Sequence, residues 1–236
     1  MKTVYYGPVA EHYALLSWSK LEPLSSSLKS HLRGNGRSSI MGCPSFMQDL
    51  KNTYVIKSPF DIEISASLDE TVPPSAIITS GIFSDNINSP TLSDPNIDGL
   101  FLTDLVQFLS DGFYLFFADG SINMSIMPPY LHHNKIYGVS GSFDIGQWFR
   151  CVSFATYVDQ PTVIKTGEPL AYISFPEKVK LKPILWPEYM AARNNYCTSF
   201  KGAHSGASLR QQYEAFMRLP LRKKILKEAK GAVPID

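Results

Sequence analysis

The residues that could carry chemistry are few, and their spacing limits what they can do. His132 and His133 stand side by side after Met-Pro-Pro-Tyr-Leu. Neighbours on a strand point to opposite faces, so the pair could share one metal ion only from a loop. Cupin and facial-triad iron sites use H-x-D or H-x-H spacings with a later histidine partner, and neither follows here. A surface or hydrogen-bonded loop histidine is the commoner outcome, and no metal or cofactor is expected. Cys43, Cys151 and Cys197 are odd in number, far apart and without a C-x-x-C pair. That spacing gives neither a disulfide framework nor a zinc site, so three reduced thiols are expected, two of them buried. There is no G-x-S-x-G, and no spacing ties Cys43 to a particular histidine.

Other constellations read as scaffolding. Asp61 and Glu63 alternate with Ile62 and Ile64; an acid–base pair is conceivable, but a solvated strand face is the plainer reading. Asp85, Asp94 and Asp98 lack the D-x-D-x-D-G spacing of a calcium loop. They lie in the polar, turn-rich stretch 84–99, long enough to be a candidate binding loop or lid. Arg33-Gly-Asn-Gly-Arg-Ser-Ser has a G-x-G but no strand before it and no G-K-[ST] after it. A flexible loop with two arginines is expected there rather than a phosphate cradle.

The most informative block is 140–175, SGSFDIGQWFRCVSFATYVDQPTVIKTGEPLAYISF. A turn at Phe143-Asp144-Ile145-Gly146 precedes an aromatic strand, and a second at Lys165-Thr166-Gly167-Glu168-Pro169 precedes an apolar one. Gly146 and Gly167 are expected to supply positive φ angles, and Pro169 to limit pairing where its strand begins. Trp148, Phe149 and Phe154 are expected in the core. The candidate ligand-binding residues are Asp144, Trp148, Arg150, His132 and His133.

The elements that must position these residues are mainly strands. TYVIK (Thr53–Lys57) and FDIEISA (60–66) are β-branched with period two, separated by Ser58-Pro59. Candidates follow at 76–79, 100–108, 113–117, 121–127, 148–158, 162–166, 170–175 and 179–185. The run FYLFF (113–117) is apolar throughout, as a strand buried on both faces would be. Asp119-Gly120 is a hairpin signal joining it to 121–127. Short strands without helical patterns between them predict an antiparallel β-sandwich or jelly roll, β-clip or cupin-like, over residues 1–185 with an irregular N-terminal segment. A helical C-terminal extension spans 186–236. Capping-box spacings occur at Ser45/Gln48 and Ser208/Gln211, Pro187 suits a first helical turn, and helices are expected over 188–199 and from Ser208.

The last helix, LRKKILKEAK, is basic and amphipathic and is ended by Gly231 and Pro234. Arg222, Lys223, Lys224 and Lys227 are the candidate partner-binding surface. The plainer alternative is a tail helix packed on its own sheet with its lysines in water. The whole chain has a formal net charge of +1, without the basic excess of a phosphate-neutralising nucleic-acid binder. No apolar run approaches the roughly 20 residues of a membrane helix, and the N-terminus has no continuous apolar segment of the kind a signal peptide needs.

Two resemblances add to this reading. CPSF, NTYVIKSPFDIEI, GSFDIGQWFR, GEPLAYISF, a Cys197-containing stretch and a basic KKILKE end resemble, in that order, a set of uncharacterised proteins of tailed bacteriophages, especially marine ones. That resemblance spans most of the chain and implies a viral protein of the host cytoplasm or virion. About forty residues, SGSFDIGQWFRCVSF to TGEPLAYISF, are similar in rhythm to the dUTPase and dCTP-deaminase family. This implies a β-clip architecture with Asp144 near the substrate and Arg150 on phosphate, although I-G-Q-W-F stands where that family has P-G-W-x-G. The first-ranked expectation is a phage-encoded, non-catalytic structural or protein-binding protein that binds a protein partner or self-associates. A dUTPase-like nucleotide-processing enzyme ranks second, and a cupin-like metal enzyme using His132 or His133 third.

Overall fold

The structure is a computed structural model, and it describes residues 1–10, 17–31, 43–66, 76–80, 105–109, 114–132, 136–138, 140–157, 162–190, 214 and 220–235. Within them the chain is mainly β. Its elements begin with β1 (Thr3–Gly7), β2 (Glu22–Pro23), α1 (Leu24–His31), α2 (Pro44–Asp49), β3 (Thr53–Lys57), β4 (Ile62–Ala66), β5 (Ala76–Ser80) and β6 (Leu105–Leu109). They continue with β7 (Leu115–Ala118), β8 (Asn123–Met127), β9 (Ile136–Gly138), β10 (Gly141–Asp144), β11 (Arg150–Cys151) and β12 (Ser153–Tyr157). The last are β13 (Thr162–Ile164), β14 (Pro169–Ser174), β15 (Lys180–Pro183) and α3 (Leu221–Gly231).

Two larger sheets, ordered β11-β7-β1-β15 and β10-β8-β14-β3-β2, and two three-stranded ones, β6-β12-β9 and β13-β4-β5, account for these strands. Among them only β1 and β15 pair in parallel. Val4, Tyr6, Phe116 and Ala118 of the first sheet share a buried cluster with Ile56, Met124, Ile126, Ala171 and Ile173 of the second. The other face of the first sheet, with Tyr5, Leu115 and Phe117, packs with Trp148, Phe149, Trp186 and with Ile225 and Ala229 of α3. The other face of the second, with Val55 and Tyr172, packs with Leu24 and Leu28 of α1. Both sheets therefore carry apolar residues on both faces, which is why β7 reads Leu-Phe-Phe-Ala without alternation.

Polar tips inside this core have partners. The Tyr6 hydroxyl accepts the Leu21 N–H at 3.1 Å, and the Tyr114 hydroxyl donates to the carbonyls of Lys57 and Ser19 at 3.1 and 3.3 Å. Burial pushes both hydroxyls up, Tyr6 to about 12.

Several local expectations change. Asp119-Gly120 does not close a hairpin: β7 belongs to the first sheet and β8 to the second. β1 runs along one edge of β7; on the other, β11 pairs with Leu115 and Phe116 and the Ala118 N–H donates to Ile145 O, so β8 finds no edge there to pair with. The expected strand 148–158 is split between β11, in the first sheet, and β12, which pairs with β6 and β9. Cys151 and Val152, consecutive and both fully buried, face different clusters at the break. The Ser45/Gln48 capping box is not formed: the N-cap lies two residues earlier, at Cys43, without a side-chain bond, and Pro44 is in the first turn of α2. Gly167 has φ +86°, as expected, whereas Gly146 does not have positive φ.

At Pro169, expected to limit pairing where its strand begins, the register against β3 shifts between Pro169 and Ala171. α3 forms where its pattern placed it. Beyond it, Leu185 N–H donates to Val233 O at 2.9 Å and Ile235 N–H to Pro183 O at 3.1 Å, so the C-terminal segment lines the chain that continues β15. Cys43 is exposed and Cys151 buried. Cys197, the 33–39 and 84–99 stretches, residues 191–199 and the Ser208/Gln211 capping box lie outside the described residues. Among the described residues no helix is long and apolar enough to cross a membrane.

If α3 is an integral cover of the first sheet, removing its central anchor must be felt globally. Ile225→Ala is expected to cost about 2–4 kcal/mol, the usual range for a fully buried aliphatic truncation, as a lowered midpoint in urea unfolding. A change within about 0.5 kcal/mol, typical of surface substitutions, would mean that the helix is a loose appendage.

Candidate functional site

Asp144 ends β10, and its carboxylate joins two turns. Oδ1 accepts the backbone N–H of Ile122 at 3.0 Å and of Gly146 at 2.8 Å, and Oδ2 accepts the Ser121 hydroxyl. A carboxylate accepting the N–H two residues ahead is the Asx turn that Asp-Ile-Gly encodes locally. The Asp144 carbonyl accepts the N–H groups of Gln147 and Trp148 at 3.2 and 2.9 Å. Ala118 N–H donates to Ile145 O, and Ile145 N–H to Ile122 O, both at 3.0 Å. The 119–122 and 144–147 turns are thus sewn together at the corner where the chain passes between the two large sheets.

The contact is too close for a side chain at its centre. A Cβ on Gly146 would stand 2.0 Å from the Gly120 carbonyl oxygen, so this glycine serves close approach rather than an unusual dihedral. Asp119 fastens the other side: its carboxylate accepts the Thr3 N–H at 2.9 Å, and its own N–H donates to Thr3 O at 3.1 Å. Arg222 of α3 completes the corner, its Nε donating to Gly146 O at 2.7 Å and its Nη2 to Asp119 O at 3.2 Å.

The structure thus brings Asp144, Trp148 and Arg150 onto one turn and the strand after it, with different surroundings. The Asp144 carboxylate is engaged by three protein donors. Trp148 is 1% exposed and packed in the cluster under α3, so it offers no surface for stacking. The Arg150 backbone pairs with Phe116 in β11, and its side chain lies outside the described residues.

His132 sits elsewhere. Asp144 pairs with Asn123 at the start of β8, and His132 follows the loop after its end, so at least the length of β8, on the order of 15 Å, separates them along the sheet. The half-buried His132 shares a hydrogen bond between Nδ1 and the Tyr172 hydroxyl, and its ring meets that of Tyr172 edge-on at 5.8 Å. Tyr172 is fully buried, burial pushes its hydroxyl well up, and the exposed Tyr130 packs edge-on against it at 5.3 Å. His132 here links a loop to a core tyrosine. His133 lies outside the described residues. Among the described residues no group of three or more His, Cys, Asp or Glu is arranged to hold a metal ion.

Asp61 is engaged by the turn before β14. Asp61 accepts the backbone N–H and hydroxyl of Thr166 at 2.8 and 2.9 Å and pairs with Lys165 at 2.9 Å. These donors, the Thr166 N–H first, hold its carboxyl at about 2. Of the proposed partner-binding residues, Arg222 is turned inward to the corner, while Lys223, Lys224 and Lys227 are exposed. Sequence reasoning missed Ser121, Asp119 and Gly120 as parts of the Asp144 assembly. The signal was there in two Asp-Gly-type turn motifs, but only the fold brings them together. No family model, curated protein or solved structure matches the chain.

A fastening role and a substrate-binding role for Asp144 make opposite predictions. Removing the carboxylate strands three donors, so Asp144→Ala is expected to destabilise by about 2–4 kcal/mol in urea unfolding, and Asp144→Asn, which keeps one acceptor, by about half that. A substrate aspartate would be replaceable without loss of stability. Asp61 gives a pH signature. Its carboxyl lies lower in the folded chain than the ordinary 3.8, so its stabilisation is complete above pH 4 and fades as pH falls towards about 2. The stability difference between the wild type and Asp61→Asn should narrow over that window and be constant above it.

Proposed function

We propose that this chain is a non-catalytic structural or protein-binding protein encoded by a tailed bacteriophage, acting in the host cytoplasm or the virion through contacts with a protein partner or with itself. The observation that carries this reading is the employment of Asp144. The carboxylate that a dUTPase-like enzyme would turn towards its nucleotide instead accepts hydrogen bonds from Ser121, Ile122 and Gly146. Redirecting it to a substrate would leave those donors without their acceptor at the corner joining the sheets. Burial of Trp148 and the bond between His132 and Tyr172 point the same way.

The architecture proposed is a β-sandwich of jelly-roll type. It is supported by the buried cluster to which both large sheets contribute, and by a corner that carries the chain from one sheet to the other. The docking surface is the outer face of α3, whose apolar side is spent on the first sheet and whose Lys223, Lys224 and Lys227 face solvent.

A nucleotide screen discriminates this from the enzyme reading. A ligand at about 100 times its dissociation constant stabilises the native state by about 2.7 kcal/mol. In a chain of this size that raises the melting temperature by about 5–10 °C. No shift with any deoxynucleoside triphosphate at millimolar concentration, with or without magnesium, is the expected result. A reproducible rise with one nucleotide would overturn the proposal.

A further inference from the structure

Each of the two large sheets ends in two edge strands, and three of these four edges are blunted. β2 and β11 are two residues long. β15 contains Pro183, which has no N–H to offer, and residues 233–235 line its end. Shortness, proline and a covering segment are common protections against strand addition. β10, the remaining edge, has none of them. It runs for four residues, Gly-Ser-Phe-Asp, without proline or lysine, and Gly141 and Ser142 are exposed. Its one charge, on Asp144, is engaged by the corner.

The ladder decides which groups β10 offers. Ile145 N–H donates to Ile122 O, so the N–H at 145 points towards β8. That direction alternates along an antiparallel strand, so Phe143 and Gly141 bond to β8, opposite Met124 and Ile126. Ser142, between them, directs its N–H and C=O away from the sheet. Among the described residues no backbone group meets them.

Side chains alternate in the same way. Phe143 is half-buried and packs at the margin of the cluster between the sheets, on the face of Met124 and Ile126. Gly141 shares that face, and a Cβ placed on it would meet nothing within 4 Å. An aromatic ring on a neighbouring strand can cover such an edge glycine. The strand thus carries an open place and a ring two residues apart, with the outward-facing Ser142 midway.

We infer that two copies of the chain join edge to edge through β10, antiparallel about a two-fold axis at Ser142. In that register Ser142 opposes the second copy's Ser142 and exchanges two hydrogen bonds with it. Gly141 opposes the second copy's Phe143, and Phe143 its Gly141. These flanking pairs are of the non-hydrogen-bonded kind, in which side chains lie closest. Each ring therefore covers the other copy's glycine. An axis at Gly141 or Phe143 would instead set like against like and leave the open places unfilled.

The occupant is a second copy because β10 is complementary to itself. This goes beyond the docking surface proposed on α3 and adds a separate contact. Two five-stranded sheets become one, and because the contact is isologous, association stops at the dimer. About four residues a side is a small interface, so a dissociation constant on the order of micromolar is expected.

Sedimentation equilibrium of the full chain tests this. The mean mass should rise with concentration and level off at twice that of the monomer. Gly141→Lys puts a charge where the second copy's ring would lie, in space that is open within one copy. It should keep the wild-type thermal midpoint and weaken dimerisation by on the order of tenfold or more. Cysteine cross-linking in a Cys43→Ser background reads the register independently of that variant. In a hydrogen-bonded pair the Cα atoms lie about 5.5 Å apart, within reach of a disulfide. Ser142→Cys should therefore give a cross-linked dimer on mild oxidation. Ser140→Cys, about 13 Å from its counterpart in this register, should not. A wild-type monomer at about 200 μM, far above a micromolar dissociation constant, would overturn the inference, with β10 left to an extended segment of another protein. So would a dimer that forms undiminished in Gly141→Lys, or one that cross-links no better through residue 142 than through residue 140. A wild-type monomer would leave the α3 docking surface standing.

Discussion

A strand inside a sheet satisfies its backbone through its neighbours; a chain leaving one buried sheet for another loses those neighbours while still enclosed. This protein meets that constraint at the corner between β7 and β8. The N–H groups of Ile122 and Gly146 have no ladder to join there, and the Asp144 carboxylate supplies an acceptor for both. Without that acceptor two amides would be left without partners, each costing about 1–3 kcal/mol. A charged acceptor forms stronger hydrogen bonds than a neutral one. All three of its donors come from the two joined turns.

The same corner explains how a peripheral helix becomes part of the body. The carbonyls of Asp119 and Gly146 face outward from the joined turns, and Arg222 binds both. A guanidinium suits this task because its donors sit in a fixed fork and its charge is weakly hydrated. With Arg222 seated, Ile225 and Ala229 fall one and two turns further along the helix, over Phe117, Trp148 and Trp186. Polar fastening and apolar burial thereby act on successive turns of α3. The segment after it then hydrogen-bonds to Pro183 and Leu185, covering the outer side of the chain at the end of β15. Unpaired edges there would otherwise invite strand addition.

Much of the architecture was legible because period-two burial is a local signal. TYVIK, the apolar FYLFF run and the strand after Pro169 were all found from alternation or its absence, and α3 from its buried stripe. What could not be read was the choice of partner. Asp119-Gly120 has the residues of a hairpin turn, but whether β8 folds back on β7 depends on whether β7 has a vacant edge; β1, over a hundred residues earlier, takes one, and β11 with Ile145 takes the other. The candidate site had the same difficulty. Asp144 stood out for its spacing to glycine and tryptophan, and that local pattern serves equally for a turn that holds a nucleotide and one that holds another turn. The Ser121 and Ile122 donors that its carboxylate meets lie more than twenty residues away and are brought in only by the fold.

Lysine placement follows from the same division of labour. A helix of 11 residues is too short to be stable alone in water, so its apolar stripe has to be committed to the first sheet. Its other side is then free of structural demands, and four exposed lysines there are not required by the packing. Like charges crowded on one helix repel one another and detract slightly from helix stability. The lysine face is thus the part of α3 that apolar packing leaves undetermined.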